Sequence, residues 1–112
     1  MYKQLEIRWV DLDPTKGAET RKKRPCIIVQ DSIVNQGSKT IVIAPLLPGH
    51  KHWPFAVNLV PTKRNGIDKE RHINLKQLRA VDVSRISNKQ GVLESRYWDE
   101  ISNALKIVLG LS

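Results

Sequence analysis

The sequence predicts a mainly β domain of the α+β class, in which short antiparallel strands curl into a small barrel or bent sheet and one amphipathic helix packs against it. Three observations point there. Short apolar runs, β-branched or alternating with period two, recur along most of the chain. Polar connections carrying proline and glycine separate them. The last stretch changes period: Trp98, Ile101, Leu105 and Val108 fall at i, i+3, i+7 and i+10, a single helical stripe. With 112 residues there is enough chain for one core and not for two, so residues 1–112 are expected to form a single domain.

The first strand alternates Leu5, Ile7 and Trp9 against Glu6, Arg8 and Val10, and breaks at Asp13-Pro14, where proline fixes φ and removes a donor. A polar loop of about a dozen residues follows, a length that in a small domain signals function or disorder. Cys26 to Gln30 reads as a strand buried on both faces, and Asp31 to Lys39 as a connection. Thr40 to Leu46 is the third strand, with Pro45 placing its far end at a sheet edge or bulge. Leu47 to Pro54 is a second long loop. Phe55 to Val60 alternates cleanly as a strand, and Asn65-Gly66 signals a turn. From His72 the chain alternates again, with Ile73, Leu75 and Gln77 on one face; beyond Leu78 the apolar phase shifts, which predicts a bulge or break nearby. Gly91 to Leu93 is expected as one last short strand. Ser95 is the expected N-cap of a helix reaching Leu109, with Asp99 and Glu100 in its first turn and Lys106 near its end, as the macrodipole favours.

A net charge of +8 and a pI near 9.9 call for a polyanion or an acidic protein as partner. No apolar run approaches the length needed to span a bilayer, and the first residues lack the apolar core of a signal peptide. The single cysteine, Cys26, permits no internal disulfide, fits a reducing cytoplasm, and opens an apolar run as a buried small residue would.

Two loops carry the candidate chemistry. The first holds one carboxylate, Glu19, followed by Arg21, Lys22, Lys23 and Arg24. A lone acid beside concentrated cations suits reaction at a phosphodiester, where the cations hold phosphate and the acid takes a proton; a solvated basic turn is the alternative. The second holds His50, Lys51, His52 and Trp53, donors next to a large ring that can hold a single-stranded backbone and stack a base. Against this stands a Trp53 that merely caps the end of the barrel. His50 and His52 would need further metal ligands, and beyond the carboxylates only His72 and Cys26 remain, so no metal site and no cofactor are expected.

The run Trp9-Val-Asp-Leu-Asp-Pro-Thr-Lys-Gly, then Glu19, then Arg24-Pro25 ahead of Ile27-Ile28-Val29, resembles the opening of the MazF/PemK/Kid toxins. Further matches follow in order over essentially the whole chain: Pro45 in Ile-Ala-Pro, Trp53-Pro54-Phe55-Ala-Val, Gln77-Leu-Arg79-Ala-Val-Asp82, and a closing helix. The resemblance implies an SH3-like antiparallel barrel of the CcdB/PemK type with a C-terminal amphipathic helix, paired into a homodimer whose interface forms a groove. It also implies a ribosome-independent, metal-free endoribonuclease that cuts single-stranded RNA, typically mRNA, and is held inactive by an antitoxin. The net charge adds that this antitoxin should be acidic.

On this resemblance Glu19 and Arg24 match catalytic positions. Charge and resemblance together make Arg21, Lys22 and Lys23, the His50, Lys51, His52 and Trp53 loop, and Lys76 and Arg79 the RNA-binding set. Three departures stand out. Leu47 falls where many members carry threonine or serine. Ala18 falls at the histidine of the Kid branch, and Asn74 and Lys76 fall at its paired arginine and aspartate. Two other readings therefore stay open: a CcdB-like gyrase poison, and a catalytically weakened RNA-binding or autoregulatory module.

Overall fold

A computed structural model describes residues 1–12 and 23–111. In chain order the described elements are β1 (Glu6–Asp11), β2 (Lys23–Ile28), a short helix α1 (Ser32–Asn35), β3 (Thr40–Pro48), β4 (Ala56–Leu59), β5 (Arg71–Asn74), β6 (Arg79–Asp82), β7 (Ile86–Val92) and α2 (Trp98–Leu109). Single 3-10 turns lie at Leu75–Gln77, Val83–Arg85 and Ser95–Tyr97. The mixed α+β class with a terminal helix is as the sequence predicts.

The barrel is not. The strands run β4-β5-β3-β2-β1-β7, with β6 joined to β3 off this path, and no ladder joins β4 to β7. The expected SH3-like closed barrel is thus an open, strongly curled antiparallel sheet. What fills the gap explains why. The turn after β4 lies against β7: the Val92 amide donates to the Arg64 carbonyl at 3.1 Å, and the Gln90 side-chain amide to the Gly66 carbonyl at 2.6 Å. Buried Asn65 fixes that turn, accepting from the Thr62 and Ile67 amides and donating to the Val60 carbonyl and to Glu94. Gly91 is required here, because a Cβ at that position would collide with the Asn65 carbonyl. A loop therefore satisfies the edge that a closing strand would have taken.

β3 organises the sheet. One edge pairs with β2, from Cys26 against Pro45 to Ile28 against Ile43. The other edge is shared: residues 40–43 pair with β6 and residues 46–48 with β5. Ala44 and Pro45 fall in the interval between those two ladders, so proline sits mid-strand where no β5 or β6 partner needs its missing N–H. The break expected near Leu78 comes slightly earlier, at the 3-10 turn Leu75–Gln77, where the Asn74 side chain accepts from the Lys76 amide at 3.0 Å. β2 starts at Lys23 rather than Cys26, pairing Asp11 with Lys23 at the mouth of a hairpin. β7 is the largest departure, seven residues where only Gly91 to Leu93 was expected.

Alternation along the strands divides the apolar residues between two faces. Ile7, Ile27, Ala44, Leu46, Val57, Leu59 and Ile73 pack beneath α2 with Tyr97, Ile101 and Ala104, while Val10, Cys26, Ile28, Ile41, Ile43, Val81 and Ile86 fill the concavity on the other side. Trp98, Leu105 and Val108 border the first cluster, so the predicted stripe is the face that α2 buries. Ser95 is not the N-cap: it begins the 3-10 turn before the helix, and no side chain caps either start. The other end closes as a Schellman motif, with Gly110 at φ 69°, its amide on the Ile107 carbonyl and the Leu111 amide on the Lys106 carbonyl.

Candidate nucleic-acid interface

The sheet face turned away from α2 carries the polar residues of the central strands. Cross-strand partners share a face, and here Val10 pairs with Arg24, Leu47 with His72, and His72 with Asn58. Continuing the β2–β3 register two steps past Cys26 and Pro45 brings Arg24 level with Leu47. One transverse row therefore reads Val10, Arg24, Leu47, His72, Asn58, each step about 4.8 Å.

Arg24 is half-buried and forms no ion pair with a described residue. Behind it burial pushes the Cys26 thiol up to about 12, although the positive charges of Arg24 and Arg79 both pull the other way. Cys26 is consequently a protonated, inert core residue near neutral pH, as the sequence suggests. Arg79 is exposed on β6 and donates to the Leu12 carbonyl at 3.3 Å.

At the Asn58 end of the row stands a cluster of rings and cations. Trp53 stacks on Phe55 with centroids 5.3 Å apart and planes 23° from parallel. The His72 ring meets Trp53 edge to face at 5.8 Å and 90°. Lys51 Nζ lies 5.2 Å from the Trp53 centroid and Lys76 Nζ 5.6 Å from that of Phe55. Trp53 keeps 41% of its surface exposed, so it does not serve as a buried plug.

Strand residues hold the loop bearing these groups. His72 Nδ1 donates to the Gly49 carbonyl at 2.8 Å, and the Gly49 amide donates to the Glu70 carbonyl at 3.0 Å. The Asn58 side chain makes both hydrogen bonds of the Lys51 peptide unit, accepting from its amide and donating to its carbonyl at 3.0 Å each. His50 Nε2 donates to the Leu59 carbonyl at 3.0 Å, and its Nδ1 lies 4.0 Å from the Glu70 carboxylate. His50 thus helps to hold the loop while its side chain stays partly exposed. His52 and Lys23 are exposed.

The structure brings Lys51, Trp53 and Lys76 together at one part of this face, while Arg24 lies in the transverse row on β2 and Arg79 on β6 opposite Ile43. Glu19, Arg21 and Lys22 lie outside the described residues, as do Ala18 and the expected break at Asp13-Pro14. Asn74 is buried and spends its side chain on the 3-10 turn. Among the described residues no group of three His, Cys, Asp or Glu side chains stands close enough to hold a metal. No described helix is long and apolar enough to cross a membrane. Phe55, Asn58 and His72 join the cluster although the sequence did not mark them as candidate RNA contacts. The alternation that buries Val57, Leu59 and Ile73 already sends Asn58 and His72 to the opposite face; what was lacking was the register that sets them side by side.

Residues 3–109 match the family model described as PemK-like, MazF-like toxin of type II toxin-antitoxin system. The chain is 30% identical over 113 aligned positions to the endoribonuclease MazF of Staphylococcus epidermidis, covering all of this chain and 94% of that protein. It is 29% identical to the endoribonuclease EndoA of Bacillus subtilis (strain 168), over 99% of this chain and 97% of the other. Among solved structures, one of a mycobacterial endoribonuclease in complex with its cognate antitoxin superposes with a TM-score of 0.81 at 18% identity, covering 100% and 98% of the two chains. A MazE-MazF crystal structure from Deinococcus radiodurans also reaches 0.81, at 21% identity and with 99% and 97% covered. At those identities the two structures bear on the fold alone.

Proposed function

Because the chain belongs to the PemK-like, MazF-like toxin family of type II toxin-antitoxin systems, we propose that it is a sequence-specific endoribonuclease toxin that cuts single-stranded RNA and is neutralised by a cognate antitoxin. The observation that supports a phosphate ligand is Arg24, a half-buried cation with no ion pair to a described residue. A desolvated charge is costly until an anion meets it, and guanidinium matches phosphate oxygens with paired donors.

In this reading the ribose 2'-hydroxyl attacks the adjacent phosphorus and its proton passes to Glu19. The bond from phosphorus to the 5'-oxygen of the next nucleotide breaks, and that oxygen takes up a proton from solvent water. The products are a cyclic phosphate and a free 5'-hydroxyl. Arg24 stabilises the charge that builds on the phosphorane; it stays charged throughout and so is not the proton donor. Leu47 supplies no hydroxyl to the scissile phosphate, and Asn74 is occupied by the turn it caps. Residues 1–112 act as one toxin domain in the cytoplasm, as a homodimer whose groove takes RNA and is covered by an acidic segment of the antitoxin. Neither metal nor cofactor takes part.

The test is incubation of the purified protein with a long RNA in EDTA. Fragments ending in a cyclic phosphate support the reading. Leu47 gives weight to a second one, a weakened RNA-binding module, which would retain the RNA uncut. Inhibition of DNA gyrase without RNA cleavage would instead point to a CcdB-like poison.

A further inference from the structure

A cavity of about 460 Å³ lies between the first residues of the chain, α1 and the turn after β6, and nothing in the phosphodiester chemistry uses it. Met1, Tyr2 and Val83 give it largely apolar walls, and Asn35, Gln36 and Ser38 complete them. That size is within the range of small-molecule sites. Asn35 is the residue whose chemistry is left incomplete there. It is only 4% exposed. Its Nδ2 group donates to the Tyr2 and Gln30 carbonyls at 3.1 Å each, and because carbonyls can only accept, these two bonds fix which way round the amide lies. Oδ1 is then buried with no hydrogen-bond partner among the described residues. A buried acceptor without a donor is costly, yet the frame holds it in place: Asp31 caps α1 through the Ile33 amide, and the Ser32 hydroxyl accepts from the Gln4 amide. The Gln30 carbonyl lies past the Ile28 end of β2, and Arg24 to Ile28 alone is about 13 Å of strand. A molecule in the cavity therefore does not meet a phosphate at Arg24.

We propose that this cavity is a binding site for a neutral, mostly apolar small molecule that donates one N–H or O–H hydrogen bond to Asn35 Oδ1. The site is independent of the endoribonuclease reading. The apolar part of the ligand lies against Met1, Tyr2 and Val83, and its donor supplies the bond that the fold leaves open. Tyr2 is held for this from two sides, by the Arg8 guanidinium 4.7 Å from its ring centroid and by Asn35 at its carbonyl. Gly37, at φ 73° between Gln36 and Ser38, has open space where a Cβ would stand, so the mouth is unobstructed. In the flanking sequence Lys3 and Lys39 are matched by Asp31 and Asp82, and no net charge calls for an ionic ligand. Once bound, the molecule joins the first residues of the chain to α1 and to Val83.

Indole and indene are suitable probes, since the two bicycles have nearly the same shape and only indole has an N–H to give. Each is titrated into isotope-labelled protein and followed by its amide NMR shifts. Indole should move the amides of Gly37, Ser38 and Val83, leave that of Arg24 in place, and raise the melting temperature. Indene should bind about 5- to 150-fold more weakly, the penalty of leaving one buried acceptor unmet. Val83→Trp, which fills the cavity from its wall, should abolish the indole shifts. Equal affinity for the two probes would mean that water, and not a ligand, satisfies Oδ1, and it overturns the site. So does an indole titration that leaves Gly37 and Ser38 unmoved, or one whose shifts persist in folded Val83→Trp. Should Val83→Trp fail to fold, the parent protein's preference for indole over indene still decides.

Discussion

Arg24 is a charged side chain on a strand whose next four residues, Pro25 to Ile28, are all buried. A purely structural arginine at such a place is expected to spend its charge on a carboxylate, and this one meets none among the described residues. Arg24→Ala should therefore lower the cleavage rate by about 10²- to 10³-fold, the loss expected on removing one transition-state charge contact. RNA affinity should change far less, because Lys23 and Arg79 remain. Cleavage, binding and melting measured on the same variant decide the matter: a drop in melting temperature with a normal rate per folded molecule would make Arg24 a scaffold residue. Cys26 gives a companion expectation. Its thiol lies well above the ordinary value of 9.0, at about 12, so the folded protein should resist thiol alkylation at neutral pH and react only on unfolding. The sign for stability follows. A raised pKa means that the folded state holds the proton more tightly, so this contribution is intact below pH 9 and is lost as pH climbs through the folded value.

Among the elements, β7 and the turn it holds are the most exposed to test. A methyl group on Gly91 has nowhere to go but into the Asn65 carbonyl, so Gly91→Ala should cost about 1–3 kcal/mol in a denaturant titration, the usual range for overpacking. Glu94 ties the same turn to the start of the C-terminal helical segment, accepting from the Thr62 hydroxyl at 2.6 Å and the Asn65 amide at 3.2 Å. Partial burial pushes its carboxyl up, but the hydrogen bonds from Thr62, its own backbone and Asn65 outweigh that and leave it below the usual range. A depressed carboxylate contributes stability above its unfolded pKa and loses it as pH falls through the folded value. The melting temperature should thus decline on acidification, and less steeply in Glu94→Gln; parallel pH profiles would show that Glu94 plays no such part. This region also shows where the sequence ceases to be legible. The stripe on α2 and the alternation of β4 are local signals and were readable. β7 was legible only at its end, because Ser87, Asn88, Lys89 and Gln90 form an edge strand whose polar side chains erase the apolar pattern. Closure depended on whether β4 and β7 would meet. That is a contact between distant residues, which local periodicity does not encode, and the Asn65 turn decided it.

On the scale of the whole molecule, charge is the property most readable from sequence and the one that geometry most sharpens. The excess of +8 says that a polyanion is wanted without saying where. The fold places Arg24 and Lys23 on β2, Arg79 on β6, and Lys51 and Lys76 beside the aromatic rings. If RNA crosses this face, each phosphate that it gives to a cation releases bound counterions, and the logarithm of the affinity should fall linearly with that of salt, by about 0.7 per contact on a single strand. Removing one cation at a time should then flatten the slope by about that amount at Lys51 or Lys76. A lysine on α2 such as Lys106, on the other side of the sheet, should leave the slope unchanged. The same field bears on the antitoxin. An acidic segment that folds onto this face must displace RNA from the same cations, so its inhibition should weaken with salt in parallel with RNA binding and should suffer from the same lysine substitutions. Those two salt slopes, measured on the parent and on Lys51→Ala, Lys76→Ala and Lys106→Ala, separate competition for one face from inhibition at a distance. Parallel loss at Lys51 and Lys76 alone means a shared surface. An antitoxin whose salt slope follows none of these lysines would place its docking site elsewhere and leave it to act by changing the toxin's shape.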